Sequence, residues 1–262
     1  MKKLILIIIG FFLTYACYGQ NNTPKISSLS FSTGLNYIKF KDRTFSPIVF
    51  SGLLPEINLG FRKTTEKNSL WNIDLNLSYG TVNHTNNYFE STFVSAQLAF
   101  NYLKEIKSDK KSRIYLGGQI RSILNVMDYE GFASGSWYSA QQLEPILIYD
   151  YTITNRQSIR GQFHCPIFNL VSRPSYAGVD EFVVVNSDNI SKILYSRLKV
   201  YSLNKIINPN FEIQYLFKLK KINFSFSTRY SYLQVNSIRR YKRNQLNLNL
   251  GIHIKIGKND EK

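Results

Sequence analysis

Leu246-Asn247-Leu248-Asn249-Leu250-Gly251-Ile252-His253-Ile254-Lys255-Ile256 alternates without a break. Leu246, Leu248, Leu250, Ile252, Ile254 and Ile256 fall on one side, and Asn247, Asn249, Gly251, His253 and Lys255 on the other. Only a β-strand, whose side chains repeat every two residues, separates these sets. The stretch is also long. A strand of a soluble protein usually runs about five or six residues, whereas a tilted strand crossing a bilayer needs about 9–11.

The pattern recurs along the chain. Trp71, Ile73, Leu75, Leu77 and Tyr79 oppose Asn72, Asp74, Asn76 and Ser78. Phe211, Ile213, Tyr215, Phe217 and Leu219 oppose Glu212, Gln214, Leu216 and Lys218. Spanning strands are predicted at roughly 27–38, 53–63, 70–82, 90–103, 113–126, 138–153, 158–170, 210–219, 222–236 and 244–256. Within the fifth, Gly117-Gly118 predicts a bulge or a close approach of backbones. The connections alternate in kind. Short, charged ones (64–69, 106–112, 154–157 and 220–221) alternate with longer ones (39–52, 83–89, 127–137, 171–209 and 236–243). This is the asymmetry of short periplasmic turns and longer external loops, and ten strands put both termini on the periplasmic side.

The reading is therefore all-β: an antiparallel up-and-down transmembrane β-barrel of ten strands, with twelve as the alternative if 171–209 contributes two more. That segment is expected to carry an external hairpin or a short helix over the mouth, since a loop so long usually has structure or a role of its own. Asp188 is a candidate helix cap ahead of Ile190, Ile193, Leu194, Leu198 and Tyr201, although Arg197–Leu203 also alternates as a strand would.

Residues 1–19 read as a secretory signal peptide. Lys2 and Lys3 precede the apolar run Leu4–Leu13, and Cys17 and Gly19 place small residues before a cut at Gln20. The competing reading, lipidation of Cys17, is a poor fit to Thr14-Tyr15-Ala16. Residues 20–262 form one domain. With Cys17 removed, Cys165 has no partner for an intramolecular disulfide. Mean hydropathy is −0.21, and no second long apolar run offers a helical span. A barrel permits this polarity because half of each strand faces the lumen.

The chain resembles the outer-membrane β-barrels of Gram-negative bacteria, of the small, about ten-stranded kind, on its signal peptide and its alternating ten- to twelve-residue strands. The resemblance implies an integral outer-membrane location and leaves the activity open. The chain departs from the class at its end. Ile256-Gly257 and the tail Asn259–Lys262 replace the terminal aromatic with which many such barrels close.

The formal charge is +16, and +14 once Lys2 and Lys3 are removed. Secretion and membrane insertion exclude nucleic acid as the reason for it. Cations concentrate in the short turns. A second cluster, Arg239, Arg240, Lys242 and Arg243 around Tyr241, is expected in the last external loop as a site for an anion. Candidate partners are outer-membrane lipid and lipopolysaccharide phosphates, an acidic glycan, or a partner protein at the loops. On the inward faces Glu56, Asp74, Glu144, Asp150 and Glu212 meet Arg121, Arg160, Lys218, Arg229 and Lys255, with His164 nearby, as an expected network of lumen charges. Buried charges must pair or stay hydrated, and ten strands enclose little room.

Nothing in the sequence assembles a catalytic or metal site. Of three histidines, His84, His164 and His253, none stands two residues from a serine. His164 and Cys165 point to opposite faces. Asp128 and Glu130 are the one candidate carboxylate pair at the rim. No metal-ligand spacing and no cofactor motif is present. The expected function is a largely closed barrel that acts through its external loops as a binding or interaction protein at the cell surface. A small anion-preferring pore is the alternative, and an outer-membrane hydrolase a distant third.

Overall fold

The computed structural model describes residues 27–43, 48–65, 69–84, 90–129, 134–174, 185, 188–195, 198–219, 222–236 and 240–256. The signal segment, Cys17, Glu130, Arg239, Lys220-Lys221 and the tail Asn259–Lys262 lie outside these.

The strands are β1 (Ser27–Asp42), β2 (Phe50–Thr64), β3 (Ser69–His84), β4 (Glu90–Ser108), β5 (Ser112–Tyr129), β6 (Ser134–Thr154), β7 (Gln157–His164), β8 (Phe168–Ser172), β9 (Lys199–Ser202), β10 (Ile206–Ile207), β11 (Asn210–Lys218), β12 (Ile222–Val235) and β13 (Tyr241–Ile256). A short helix, α1 (Ile190–Tyr195), precedes β9. Consecutive strands from β1 to β7 pair antiparallel, then β7 with β11, β11 with β12, and β12 with β13. β13 returns to β1 in unbroken register from Ser27↔Ile256 to Asp42↔Tyr241. The sheet is a closed barrel of ten passes, with no open edge in this ring.

Two passes are broken, and prolines stand at the breaks. β7 resumes as β8 beyond Cys165-Pro166, where Ile167 N–H donates to Leu143 O at 3.0 Å. The descending pass is β9, then β10, then, after Pro209, β11. Proline has no N–H to give a ladder; Pro55 and Pro145 keep register with one neighbour inside β2 and β6, whereas Pro166 and Pro209 stand where the passes break. β8 pairs with β6 and β9, and β10 with β12. They extend the wall upward instead of adding passes, so the twelve-strand alternative does not hold. The segment 171–209 is accordingly shorter as a loop than the sequence suggests. Its first two residues belong to β8 and its last part to β9 and β10. The cap of α1 is Asn189, whose Oδ1 accepts Lys192 N–H at 3.1 Å, and not Asp188. The register runs straight through Gly117-Gly118, where Gly117 sits against the backbone of Tyr102 and Leu103. Bulges lie instead near the turn end, on β4 between Glu105 and Lys107 and on β6 between Thr152 and Thr154.

The barrel has a turn end, which both chain ends approach, and a loop end. Along most of each strand the apolar residues face outward. Leu246 is 41% exposed, Leu248 46% and Leu250 66%, while Asn247 and Asn249 between them are buried. So large an apolar exterior suits lipid and not water. Trp71, Tyr102, Tyr149 and Tyr151 form an aromatic girdle near the turn end, with Trp71 and Tyr102 ring centroids 4.6 Å apart.

Near the loop end the pattern inverts. On β1, Ser28, Ser30 and Ser32 face inward in the lower part, but Ile38 and Phe40 face inward above, with Lys39 exposed outside. On β12, Ser225 and Ser227 give way to Leu233 and Val235. On these two strands the alternation does not slip; its hydrophobic phase does. A wall that leaves lipid for water must turn its apolar face inward, as a soluble sheet does. This inversion is why the strands extend past their sequence-based ends, β1 to Asp42 and β2 back to Phe50.

Candidate functional site: the lumen, its seal and its mouth

Inverted phase places an apolar plug across the loop end of the lumen. Ile38, Phe40, Phe50, Leu54, Val82, Phe93, Ile123, Met127, Leu233, Val235 and Tyr241 pack into one buried cluster. Phe40 lies 5.7 Å from Phe50 and 5.5 Å from Phe93, ring centroid to centroid, and Tyr138 from β6 stacks on Tyr241 from β13 at 5.5 Å. Each Leu or Ile buried so completely contributes about 1.5–3 kcal/mol. Above the plug, Arg173 donates to Asp42 Oδ1 at 2.7 Å and covers the Tyr241 ring at 5.1 Å, tying the segment after β8 to the top of β1. The lumen residues expected from the sequence are all polar and include none of these inward apolar side chains. Strong alternation beyond the expected strand ends, as in Ile38-Lys39-Phe40, is the signal that would have found them.

Below the plug the lumen is polar. Glu144 on β6 is fully buried. Its Oε1 accepts from Arg121 Nε at 2.8 Å and Nη2 at 2.7 Å, and its Oε2 from Gln119 at 3.1 Å. His164 Nδ1 also contacts Oε2. Arg121 Nη1 reaches Asn210 Oδ1 at 3.3 Å, so one guanidinium links β5, β6 and β11. A second carboxylate, Glu56 on β2, is held by amides: Asn58 and Asn249 each at 3.1 Å, and Asn247. Asn249 is two strands away. Gly34 stands in register between Glu56 and Asn249, and its missing side chain opens the way. A Cβ there would run into the Leu248 carbonyl and the Asn249 side chain.

Toward the turn end a cavity of about 140 Å³ opens among Asp74, Arg229, Glu212, Arg62, His164 and His253. Arg229 donates to Glu212 at 3.0 Å. Asp74 projects over Gly60, where a Cβ would come 2.8 Å from its Oδ1. A second cavity of about 280 Å³ forms the mouth at the turn end. There Asp150 takes both Nε and Nη2 of Arg160 at 2.5 Å. Ser28, Arg62, Arg160 and His253 line both spaces, which puts the cavity next to the mouth.

No family model matches the chain, and no curated protein is similar to it. Solved structures are. The outer membrane protease OmpT from Escherichia coli superposes with a TM-score of 0.62 at 7% identity, over 91% of this chain and 99% of that one. The translocator domain of the autotransporter NalP from Neisseria meningitidis gives 0.44 at 6% identity over 97% of both chains. Neisserial surface protein A gives 0.36 at 10% identity over 87% of this chain and 97% of that one. This chain has the fold of the Gram-negative outer-membrane β-barrels. At such identities the likeness concerns the fold alone.

In this barrel the expected lumen residues lie on inward positions, in separate groups. Arg121, Glu144 and His164 form one; Glu212 and Arg229 a second; Asp150 and Arg160 a third. Glu56 meets amides, Asp74 lines the cavity, Lys218 lines the mouth, and Lys255 faces inward near the turn end. The basic cluster near 239–243 is not a single loop patch. Lys242 and Arg243 belong to β13, and their faces differ: Lys242 is exposed outside, while Arg243 is 2% exposed and points inward. Strand periodicity forces this split. Arg240 is exposed, and its carbonyl accepts Arg43 N–H at 3.0 Å. Lys242 stands in register with Lys41 on β1, next to Lys39, so the outward cations form a ridge across the β1–β13 seam.

Asp128 is exposed on the outward side of β5, away from the lumen. The structure also joins a pair the sequence did not suggest. His253 Nε2 lies 3.0 Å from Ser225 Oγ on the neighbouring strand and 3.4 Å from Gln214 Nε2. A serine–histidine pair needs a third group orienting the imidazole to act as nucleophile and base, and none of these contacts supplies a carboxylate.

Proposed function

We propose that this protein is an integral outer-membrane barrel, closed to ions, that works at its loop end as a binding or interaction protein on the cell surface. The observation that carries this reading is the apolar plug from Ile38 to Tyr241, lying beyond a lumen in which Arg121 joins Glu144 on β6 to Asn210 on β11. An ion crossing it would shed its water without compensation. In this reading the loop end is external, the short turns are periplasmic, and residues 1–19 are removed on secretion. The outward ridge of Lys39, Lys41, Arg43, Arg240 and Lys242 sits directly above lipid-facing Tyr37 and Leu246, where phosphates of lipopolysaccharide would lie. An acidic glycan presents the same chemistry.

The test is planar-bilayer recording on the refolded protein. The expected result is no steady current from wild type, and current from Phe40→Ser/Leu54→Ser/Phe93→Ser. Steady anion current from wild type would replace this reading with the anion-preferring pore. Changing Lys39, Lys41, Arg240 and Lys242 to Gln should reduce lipopolysaccharide co-purification at low salt.

A further inference from the structure

The mouth at the turn end is basic in a way that the turns alone do not explain. Arg62, Arg113, Arg160 and Lys218 occupy inward positions on β2, β5, β7 and β11, and Lys110 and Lys111 join them from the β4–β5 turn. Two carboxylates, Asp109 and Asp150, line the same space against six cations, and Asp150 also faces Arg62, Arg113 and Lys218 across it. Asp150 holds Arg160 through two bonds of 2.5 Å, and Asp109 lies 3.7 Å from Lys107. Among the described residues, no carboxylate lies within ion-pair distance of Arg62, Lys110, Lys111, Arg113 or Lys218. Arg62 uses Nε on Asn72 at 3.0 Å. Arg160, only 9% exposed, keeps Nη1 buried without a hydrogen-bond partner where the two cavities share it.

We infer that this vestibule binds a phosphate-bearing anion entering from the side of the chain termini. Cations converging from several strands into a concave wall focus the field on the space between them. Arginine forks and lysine ammonium groups are the donors that phosphate oxygens take. At about 280 Å³ the space far exceeds the ~10–15 Å³ that one water requires. Arg160, which lines both spaces and is fixed by Asp150, sets a rigid guanidinium at the vestibule's floor. The cavity beside it ends at the Glu144 network and the plug, so the site is a dead end that retains an anion instead of passing it. The cations face the lumen rather than lipid, which favours a soluble phosphate compound over a bilayer headgroup.

The experiment is calorimetric titration of the full refolded chain in neutral detergent with inorganic pyrophosphate, at low and high salt. Saturable binding to one site is expected, weakening as salt rises. Arg113→Gln/Lys218→Gln should lower affinity at least about tenfold, since each charge-assisted hydrogen bond is worth at least about that factor. Lys192→Gln/Lys199→Gln, which removes exposed cations at the loop end, should leave affinity unchanged. Heat-modifiability establishes that each variant is folded, and Lys218→Gln alone serves if the double variant is not. Short-chain phosphatidylglycerol run in parallel identifies the source. Tighter binding of this lipid, lost in the same variant, keeps the site and assigns it to a headgroup. Absence of saturable binding, or equal weakening by both double variants, overturns the proposal.

Discussion

Arg121→Met tests whether the lumen is held by paired charges. Arg121 and Glu144 are 2.7 Å apart, with side chains 6% and 0% exposed. At that distance two unit charges attract by about 6 kcal/mol at an effective dielectric of ~20. Much of this offsets the cost of burying them. Removing the arginine alone leaves the carboxylate in place without its cation, and breaking a buried pair in this way costs about 3–5 kcal/mol. Gln119 at 3.1 Å and His164 still reach Glu144, so the lower part of that range is expected. Arg121→Met/Glu144→Met leaves no charge to strand and should be more stable than Arg121→Met. The assay is urea unfolding of protein folded in lipid vesicles, followed by fluorescence of Trp71 and Trp137, which report on the two ends. A cost below about 1 kcal/mol for Arg121→Met, or a double variant less stable than the single, would refute the reasoning.

Gly34→Ala should destabilise the barrel by at least about 1–3 kcal/mol, because its Cβ would lie 2.8 Å from Asn249 Cα and block the bond to Glu56; urea unfolding measures this. Leu248→Arg should cost about 2–4 kcal/mol by placing a charge against lipid. Asn249→Gln, on the inward face one residue away, should cost less, and folded yield in membranes compares the two.

The sequence by itself determined the architecture. Eleven residues of alternation from Leu246 to Ile256 assign a strand, its length and both its faces, and the register of β13 has Leu248 out and Asn249 in as the alternation demands. The reason is local. A strand crossing lipid must sort its side chains by twos, and its length is set by the bilayer, so neither property waits on the rest of the chain. The number of passes was legible for the same reason, ring closure adding only the seam between β1 and β13.

What the tertiary structure alone decided is what the inward side chains do. Alternation says that Glu56 and Asn249 point inward, but only the adjacency of β1, β2 and β13 lets them meet over Gly34. Arg243 looked like one of four loop cations because a charge run carries no period. The strand through Tyr241 turned it inward and left Lys242 outside. Ile38, Phe40 and Leu54 looked like loop or strand-end residues because the rule that apolar means lipid-facing fails where the wall leaves the bilayer. Which environment surrounds a given residue depends on its height in the barrel, and height is fixed by the stagger of neighbouring strands rather than by any one segment.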